Sequence, residues 1–434
     1  MTIPDKKSAL LLKMLHAALK AIDPARLIAQ SVSLKGEILT FKGLNLPSFA
    51  LDLNRYSRIR IIGAGKAVVP MSCALLDILG ERVEDGQIIS PNHSSVPLKP
   101  IKHTQGSHPI PDSQSVSGAR GIVKLCRSAG EGELIISLLS GGASALLCYP
   151  AESMSLGKLQ DINEALIRSG ADITEINTVR SAISRVKGGK LAGMVYPAEC
   201  VNLIISDVIG DNLQFIGSGP LVRPKERMNA AQIIDKYDLN KLFKGYEVLY
   251  KANLSDPMNE KVFKNIKNIL IANNLLALNA AAAAAESSGV AAQILSNRLS
   301  GEACIQGQNF AAVSRSIRPG TGRALITGGE TTVTVRGNGF GGRNQEMVLA
   351  FAINAPINDS IAFLSAGTDG IDGRSLDAGA MVHRAQIELI QESSDEARNA
   401  LQNNDSNTFL KTVNATLNTG PTGTNVGDIQ VLLT

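Results

Sequence analysis

A chain of 434 residues with 44% hydrophobic and 19% charged residues has the composition of a soluble globular protein, and it is too long for one typical core, so two domains are expected. The net charge of +4 is small and unclustered, aromatics make up 4% and tryptophan is absent, which argues against the basic, aromatic-rich surface of a nucleic-acid binder. Five scattered cysteines (Cys73, Cys126, Cys148, Cys200 and Cys304) form no CxxC pair, the charged N-terminus does not read as a signal peptide, and no apolar run approaches the roughly 20 residues of a membrane helix, so a cytoplasmic protein with no membrane partner is expected.

In chain order, the first expected element is an amphipathic helix over Ser8–Ile22, with Ser8 as its N-cap. Strand-like runs then alternate with glycine turns and helical stretches. Arg58–Ile62 leads into GAGK (Gly63–Lys66) and a helix over Ala67–Leu79; Gly86–Ser90 is the next strand; Leu134–Leu139 leads into SGGASALL, and Val201–Ile205 into SDVIGD. This rhythm predicts an α/β fold with a Rossmann-like parallel sheet wrapped by helices on both faces, with ligands at the carboxyl ends of the strands. From Gly219 to Pro257 the pattern weakens into a polar, Lys-rich stretch, and the domain boundary is placed near its end, giving domains 1–245 and 246–434. The second α/β block starts with a strand at Asn268–Ala272 and an N-cap pair at Asn273–Asn274. The Ala280–Ala285 run reads as a closely packed helix, because alanine is the best helix former. Val290–Leu295, Ala324–Thr327, Thr331–Arg336 and Ile361–Ser365 are further strands. TTVTVR (Thr331–Arg336) alternates as an antiparallel strand would, and Ile429–Leu433 closes the sheet or crosses back to the first domain.

Several segments carry groups suited to anions. In GAGK, the amides of Gly63 and Gly65 and the ammonium of Lys66 stand at a helix start, where anions are favoured. Neither a Walker A loop nor the dinucleotide fingerprint GxGxxG is present, since Ala67 follows the lysine and Val68 stands where the last glycine belongs. Ser140, Gly141, Gly142, Ala143 and Ser144 form a second amide cradle, and without GxSxG they do not read as a serine-nucleophile turn. In NTVRSAISRVKGGK, the spacing places Asn177, Arg180, Ser184 and Lys187 on one helix face, either facing an anionic substrate or forming a solvated face that ends in a Gly–Gly C-cap. Gly328 and Gly329 precede Glu330, and GFGGRNQE offers Arg343, a forked donor for phosphate or carboxylate, followed by Asn344. Thr422 and Asn425 lie in the last glycine cluster. Asp207, Asp211, Glu330, Asp369 and Asp372 are carboxylates near strand ends, where Mg²⁺ accompanying a nucleotide finds its ligands, although Asp–Gly pairs also make ordinary turns. Among these, Asp207, Glu330 and Asp369 are the candidate metal ligands. The five histidines show no zinc spacing.

Taken together and in order, GAGKA, GSHPIPD, LLSGGASALL, NTVRSAISRVKGGKLA, SDVIGD with SGP after it, TGGETTVTV, GGRNQEMVLA, SAGTDGIDG and TGPTGTNVGD resemble the glycerate 2-kinase family, whose C-terminal part is called the MOFRL domain and whose members are often labelled hydroxypyruvate reductase. The resemblance runs from about Ile61 to the last residue and departs from the family pattern at Gly427. It implies an N-terminal Rossmann-like domain, a C-terminal MOFRL-type mixed-sheet domain and an active site in the cleft between them. It also implies transfer of the ATP γ-phosphoryl group to the 2-hydroxyl of D-glycerate with Mg²⁺ as cofactor. The partners are then small molecules, with a homodimer left open. The family's essential lysine falls on Lys66 and its essential arginine on Arg343. On this reading Lys66 and Arg343 neutralise the transferred phosphoryl group, or one of them holds the glycerate carboxylate, while Asp207 or Asp369 meets the 2-hydroxyl. The rivals are an NAD(P)H-dependent hydroxypyruvate reductase and a non-catalytic nucleotide- or sugar-acid-binding protein.

Overall fold

The computed structural model describes residues 5–94, 96–152, 154–224, 228–247, 249, 260–317, 320 and 322–434. The chain divides into two compact units, Pro24–Ala272 and a second made of Asn273–Thr434 together with the residues up to Asp23.

The first unit carries a small antiparallel sheet of β1 (Val32–Lys35), β2 (Ile38–Phe41) and β3 (Phe49–Asp52). Its main sheet comprises β4 (Arg58–Ala64), β5 (Val83–Ser90), β6 (Ile101–Gln105), β7 (Glu133–Leu139), β8 (Glu199–Ile205) and β9 (Ile266–Ala272). These six strands are all parallel, in the order β6-β5-β4-β7-β8-β9. β4, β7 and β8 are buried at every residue after the first, the mark of Ile/Leu-rich strands covered by helices on both faces. The helices Val68–Leu79 and Ser113–Ser128 follow β4 and β6. The strand order reverses between β4 and β7, so the loops leaving these two neighbours part in opposite directions and open a crevice at the carboxyl edge.

In the second unit, β10 (Ala291–Leu299), β11 (Arg323–Gly329), β12 (Ala362–Gly367), β13 (Gly379–His383), β14 (Thr416–Leu417) and β15 (Asp428–Leu433) form a mixed sheet. Its order is β10-β11-β15-β12-β13-β14, with only β10 and β11 parallel. The last strand, fully buried, lies at the centre of this sheet, which settles the choice left open by its sequence in favour of closure.

Several expectations need correction. The first helix spans Lys6–Ala21 and is capped by Asp5, whose carboxylate accepts from the Lys7 amide at 3.2 Å; Ser8 is buried within the helix. The buried face of that helix (Leu11, Met14, Leu15 and Ala18) packs on the Ala-rich helix Asn274–Glu286, which places the N-terminal segment in the second unit. The units part at Ala272/Asn273 and not near residue 245, because β9 is hydrogen-bonded along β8 as the sixth strand of the first sheet. Parts of the Lys-rich stretch, residues 225–227, 248 and 250–257, lie outside the described residues.

Thr331–Arg336 forms no strand beyond a single bridge between Thr332 and Glu302. Side chains take its backbone groups instead: the Thr334 amide donates to Glu302, and the Arg336 and Gly337 amides donate to Asn404 Oδ1. The helix carrying Asn177 and Arg180 ends at Ala182. There the chain turns to pair with residues 149–151, the Arg185 amide donating to the Tyr149 carbonyl, so Ser184 and Lys187 do not share that helix face. Gly189, with φ of 80°, caps the start of the next helix, Lys190–Val195, and does not close the preceding one.

Candidate active site

At the crevice of the first unit, the loops after β4 and β7 dock on each other. The Lys66 amide donates to the Gly141 carbonyl at 2.9 Å, the Ser140 amide to the Ala64 carbonyl at 3.3 Å, and the Ala67 amide to Ser140 Oγ at 3.0 Å. This approach requires glycine at position 65, where φ is +142° and a Cβ would sit 2.1 Å from Ser140 Oγ. Gly63 is the last but one residue of β4, and Lys66 stands half-buried just before the helix that starts at Val68. Two of the predicted anion segments are therefore one structure, with its amides at a helix N-terminus. Beside it, His108 packs over Gly142, and a cavity of about 650 Å³ is lined by His103, Gly106, Ser107, His108 and Asp112.

The structure brings Asn177, Ser144 and Lys187 together although they share no helix. Lys187 Nζ donates to the Ser144 carbonyl at 2.7 Å, Ser144 Oγ lies 3.0 Å from Ser218 Oγ, and Ser218 donates to Asn177 Oδ1 at 2.8 Å. Arg180, one turn beyond Asn177, donates to Asn163 Oδ1 at 2.8 Å. Burial pulls the Lys187 ammonium down to about 7. Asp207 follows β8 at the same carboxyl edge of the sheet.

In the second unit, Arg343 opens the helix Arg343–Asn354, and its fork is already occupied. Nε and Nη2 donate to the two oxygens of Asp428 at 2.5 and 2.9 Å, and Nη1 lies 2.9 Å from Glu330. Asp428 is completely buried, and it holds the guanidinium above its ordinary pKa against a burial that lowers it. Of the five N–H donors on a guanidinium, the Asp428 pair uses the Nε/Nη2 edge and Glu330 stands at Nη1, so an anion approaching the remaining edge competes with the Glu330 carboxylate. A cavity of about 420 Å³ on this side is lined by Glu330, Gly342, Arg343, Glu346, Arg374 and Asn404.

The helix start itself is capped by Asp372, which accepts the Asn344 and Gln345 amides at 3.1 and 2.9 Å; burial pushes its carboxyl up to about 7. Asn344 is buried in this network, donating to Asp372 and accepting from Ser365. Thr422 and Asn425 tie the closing loop to the loop after β12, through Thr422 to the Thr368 carbonyl at 2.6 Å and Thr368 Oγ1 to Asn425 Oδ1 at 3.4 Å. Asp369 belongs to the loop after β12, its carboxylate accepting the Ile371 amide. Gly328 and Gly329 are paired in the sheet with Ile429 and Asp428, and a Cβ at Gly328 would sit 2.0 Å from Asn274 Oδ1. Packing against Asn274 thus accounts for glycine at position 328. Sequence reasoning missed the Asp428 clamp, the Asp372 cap and Ser218. The carboxylates stand in recognisable clusters, but nothing in the spacing joins Asp428 to an arginine 85 residues earlier.

The family model described as a domain of unknown function, DUF4147, matches residues 10–246, and the MOFRL family model matches residues 323–428. D-glycerate 2-kinase of Thermotoga maritima is 34% identical over 435 residues, covering 99% of this chain and 98% of that protein. The chain belongs to the glycerate 2-kinase family. The crystal structure of glycerate kinase from Thermotoga maritima matches with a TM-score of 0.81 at 32% identity, over 99% of this chain and 100% of that one. Within reach of the same family lies a protein of Agrobacterium vitis named putative hydroxypyruvate reductase, 38% identical over 384 residues, or 87% of this chain and 99% of that protein.

A kinase family brings ATP as phosphoryl donor. Among the described residues no group of three or more His, Cys, Asp or Glu is placed to hold a cation. Mg²⁺ needs no such cage when phosphate oxygens and water complete its shell.

Proposed function

We propose that the protein is an ATP-dependent glycerate 2-kinase, transferring the γ-phosphoryl group of ATP to the 2-hydroxyl of D-glycerate to give 2-phospho-D-glycerate and ADP. The end-to-end likeness to the Thermotoga maritima D-glycerate 2-kinase carries this reading. Phosphoryl transfer asks a protein mainly for positioning and for cationic groups where charge gathers. The docked glycine loops, whose Gly65, Lys66, Ala67 and Ser140 amides are spent holding the loops in place, present the Lys66 side chain, and the second unit supplies Arg343, already aimed by Asp428. Mg²⁺, held by Asp207, Glu330 or Asp369 together with the nucleotide, would neutralise phosphate charge. Asp207 or Asp369 receives the hydroxyl proton of the acceptor. Five free cysteines suit a cytoplasmic setting, and among the described residues no helix is long and apolar enough to cross a membrane.

The reductase name borne by some relatives calls for a nicotinamide site. At the β4 turn the position of the fingerprint's last glycine holds Val68, completely buried, with its Cγ1 3.3 Å from the site of a Gly63 Cβ. The close helix–strand approach that glycine serves is filled by this side chain.

The deciding assay is ADP release from MgATP and D-glycerate, with the product passed to enolase without a mutase. Immediate phosphoenolpyruvate is expected. ADP without phosphoenolpyruvate would mean transfer to the 3-hydroxyl, and NADH oxidation with hydroxypyruvate in place of ADP release would overturn the kinase reading.

A further inference from the structure

The hydrogen-bonded row Ser144–Ser218–Asn177 is assembled from three segments distant in sequence, and Lys187, from a fourth, joins it at the Ser144 carbonyl. Three features mark it as built for an occupant. Gly217, Ser218 and Gly219 hold φ of 58°, 62° and 57°, so Ser218 sits in the left-handed region that disfavours side chains, a strain typical of binding sites. Asn177 is buried, and its Nδ2 has no hydrogen-bond partner, although buried donors are nearly always satisfied. Lys187 is buried with a neutral carbonyl as its acceptor, and half-buried Arg180 donates to a neutral amide. Among the described residues no carboxylate pairs with either cation, and buried charge without a counter-charge is costly.

We propose that this row is the acid subsite of the kinase, binding the carboxylate of a small 2-hydroxy acid through Ser218, Asn177, Ser144 and the Lys187 charge. The assignment rests on the kinase reading above and leaves Lys66 and Arg343 to the phosphates. A single negative charge matches a row of neutral donors with one buried ammonium, and Ser144 and Arg180 are its half-buried members. The groups facing Lys187 are Arg180 and the Cys148 thiol, with Asp112 beyond the thiol. Since burial holds the Lys187 ammonium near 7, a bound carboxylate favours its charged form. Acid binding therefore takes up a proton above neutral pH.

The test compares Michaelis constants for D-glycerate and MgATP in the full-length wild type, Ser218→Ala, Ser218→Gly and Lys187→Met. Losing a hydrogen bond to a charged group predicts a rise of roughly tenfold or more in KM for D-glycerate, with KM for MgATP unchanged. Ser218→Gly separates binding from folding: relief of the strained φ keeps or raises Tm while KM for D-glycerate climbs as in Ser218→Ala. In calorimetry without ATP, wild type is expected to bind D-glycerate with proton uptake at pH 8 and not to bind glycerol, which lacks the carboxylate. A rise in KM for MgATP in place of D-glycerate, equal binding of inorganic phosphate and D-glycerate that the variants weaken alike, or unchanged constants in all variants would overturn the proposal. If wild type binds D-glycerate through Ser218 but releases no ADP, the kinase reading fails and the acid subsite stands.

Discussion

Arg343 stood out in the sequence as a candidate, but its partners Asp428 and Glu330 did not, and the partners decide what its mutation does. Lys66→Ala is expected to lower kcat by about 10³-fold or more with little change in Tm, because it removes a half-buried cation from a loop held by backbone bonds. Arg343→Ala should lower kcat as far, but it also strands a completely buried Asp428, at a stability cost of about 3–5 kcal/mol. The double variant Arg343→Ala, Asp428→Ala should recover part of that stability with no recovery of turnover; urea midpoints and ADP release check both halves. Lys187 gives a pH-dependent test. Its pKa falls from 10.5 to about 7 on folding, so between those values the unfolded chain binds the extra proton and stability rises with pH. Lys187→Met should flatten the rise in urea midpoint from pH 7 to 10 relative to wild type, and an unchanged slope would show that Lys187 stays charged when folded. These pairings escaped the sequence because a single chain records local spacing and not contact. Ser218 and Asn177 lie 41 residues apart, and Arg343 and Asp428 lie 85 apart.

At the level of elements, reading was sound wherever a long apolar pattern set the period. The Ile/Leu-rich strands β4, β7 and β8 fall where expected, and Asn273 caps the Ala-rich helix through the Leu276 amide at 3.1 Å. It failed where a short pattern met stronger local partners. TTVTVR alternates as a strand should, yet Glu302 and Asn404 satisfy its backbone, and Val335 is 70% exposed. Likewise i, i+3 spacing across Asn177–Lys187 suggested one face, but the chain leaves the helix at Ala182 to pair with residues 149–151. The N-terminal helix shows what such a segment is worth. Leu15 is 1% exposed against the helix Asn274–Glu286 in the same compact unit. Leu15→Ala should cost about 2–5 kcal/mol. Hydrogen exchange should register that loss in the unit containing Asn273–Thr434, and a loss confined to Pro24–Ala272 would contradict the assignment.

For the whole molecule, the boundary is the feature that composition could not place. A polar, Lys-rich stretch looks like a linker, yet the chain beyond it returns to supply β9, whose residues pair with β8 from Cys200 to Ile205. β8 is buried along six of its seven residues, so a chain ending at residue 245 would leave an apolar, unpaired edge that invites association with other chains. Residues 24–272 keep the sheet complete and should fold as a monomer with one cooperative transition. Residues 24–245 should aggregate or melt well below it, as read by size-exclusion chromatography and thermal denaturation. Equal stability of the two chains would show that β9 is dispensable and would move the functional boundary back toward residue 245. Because the docked glycine loops and the Ser144–Ser218–Asn177 row lie wholly within Pro24–Ala272, the folded 24–272 chain should also bind D-glycerate while releasing no ADP from MgATP, since Arg343 is absent from it.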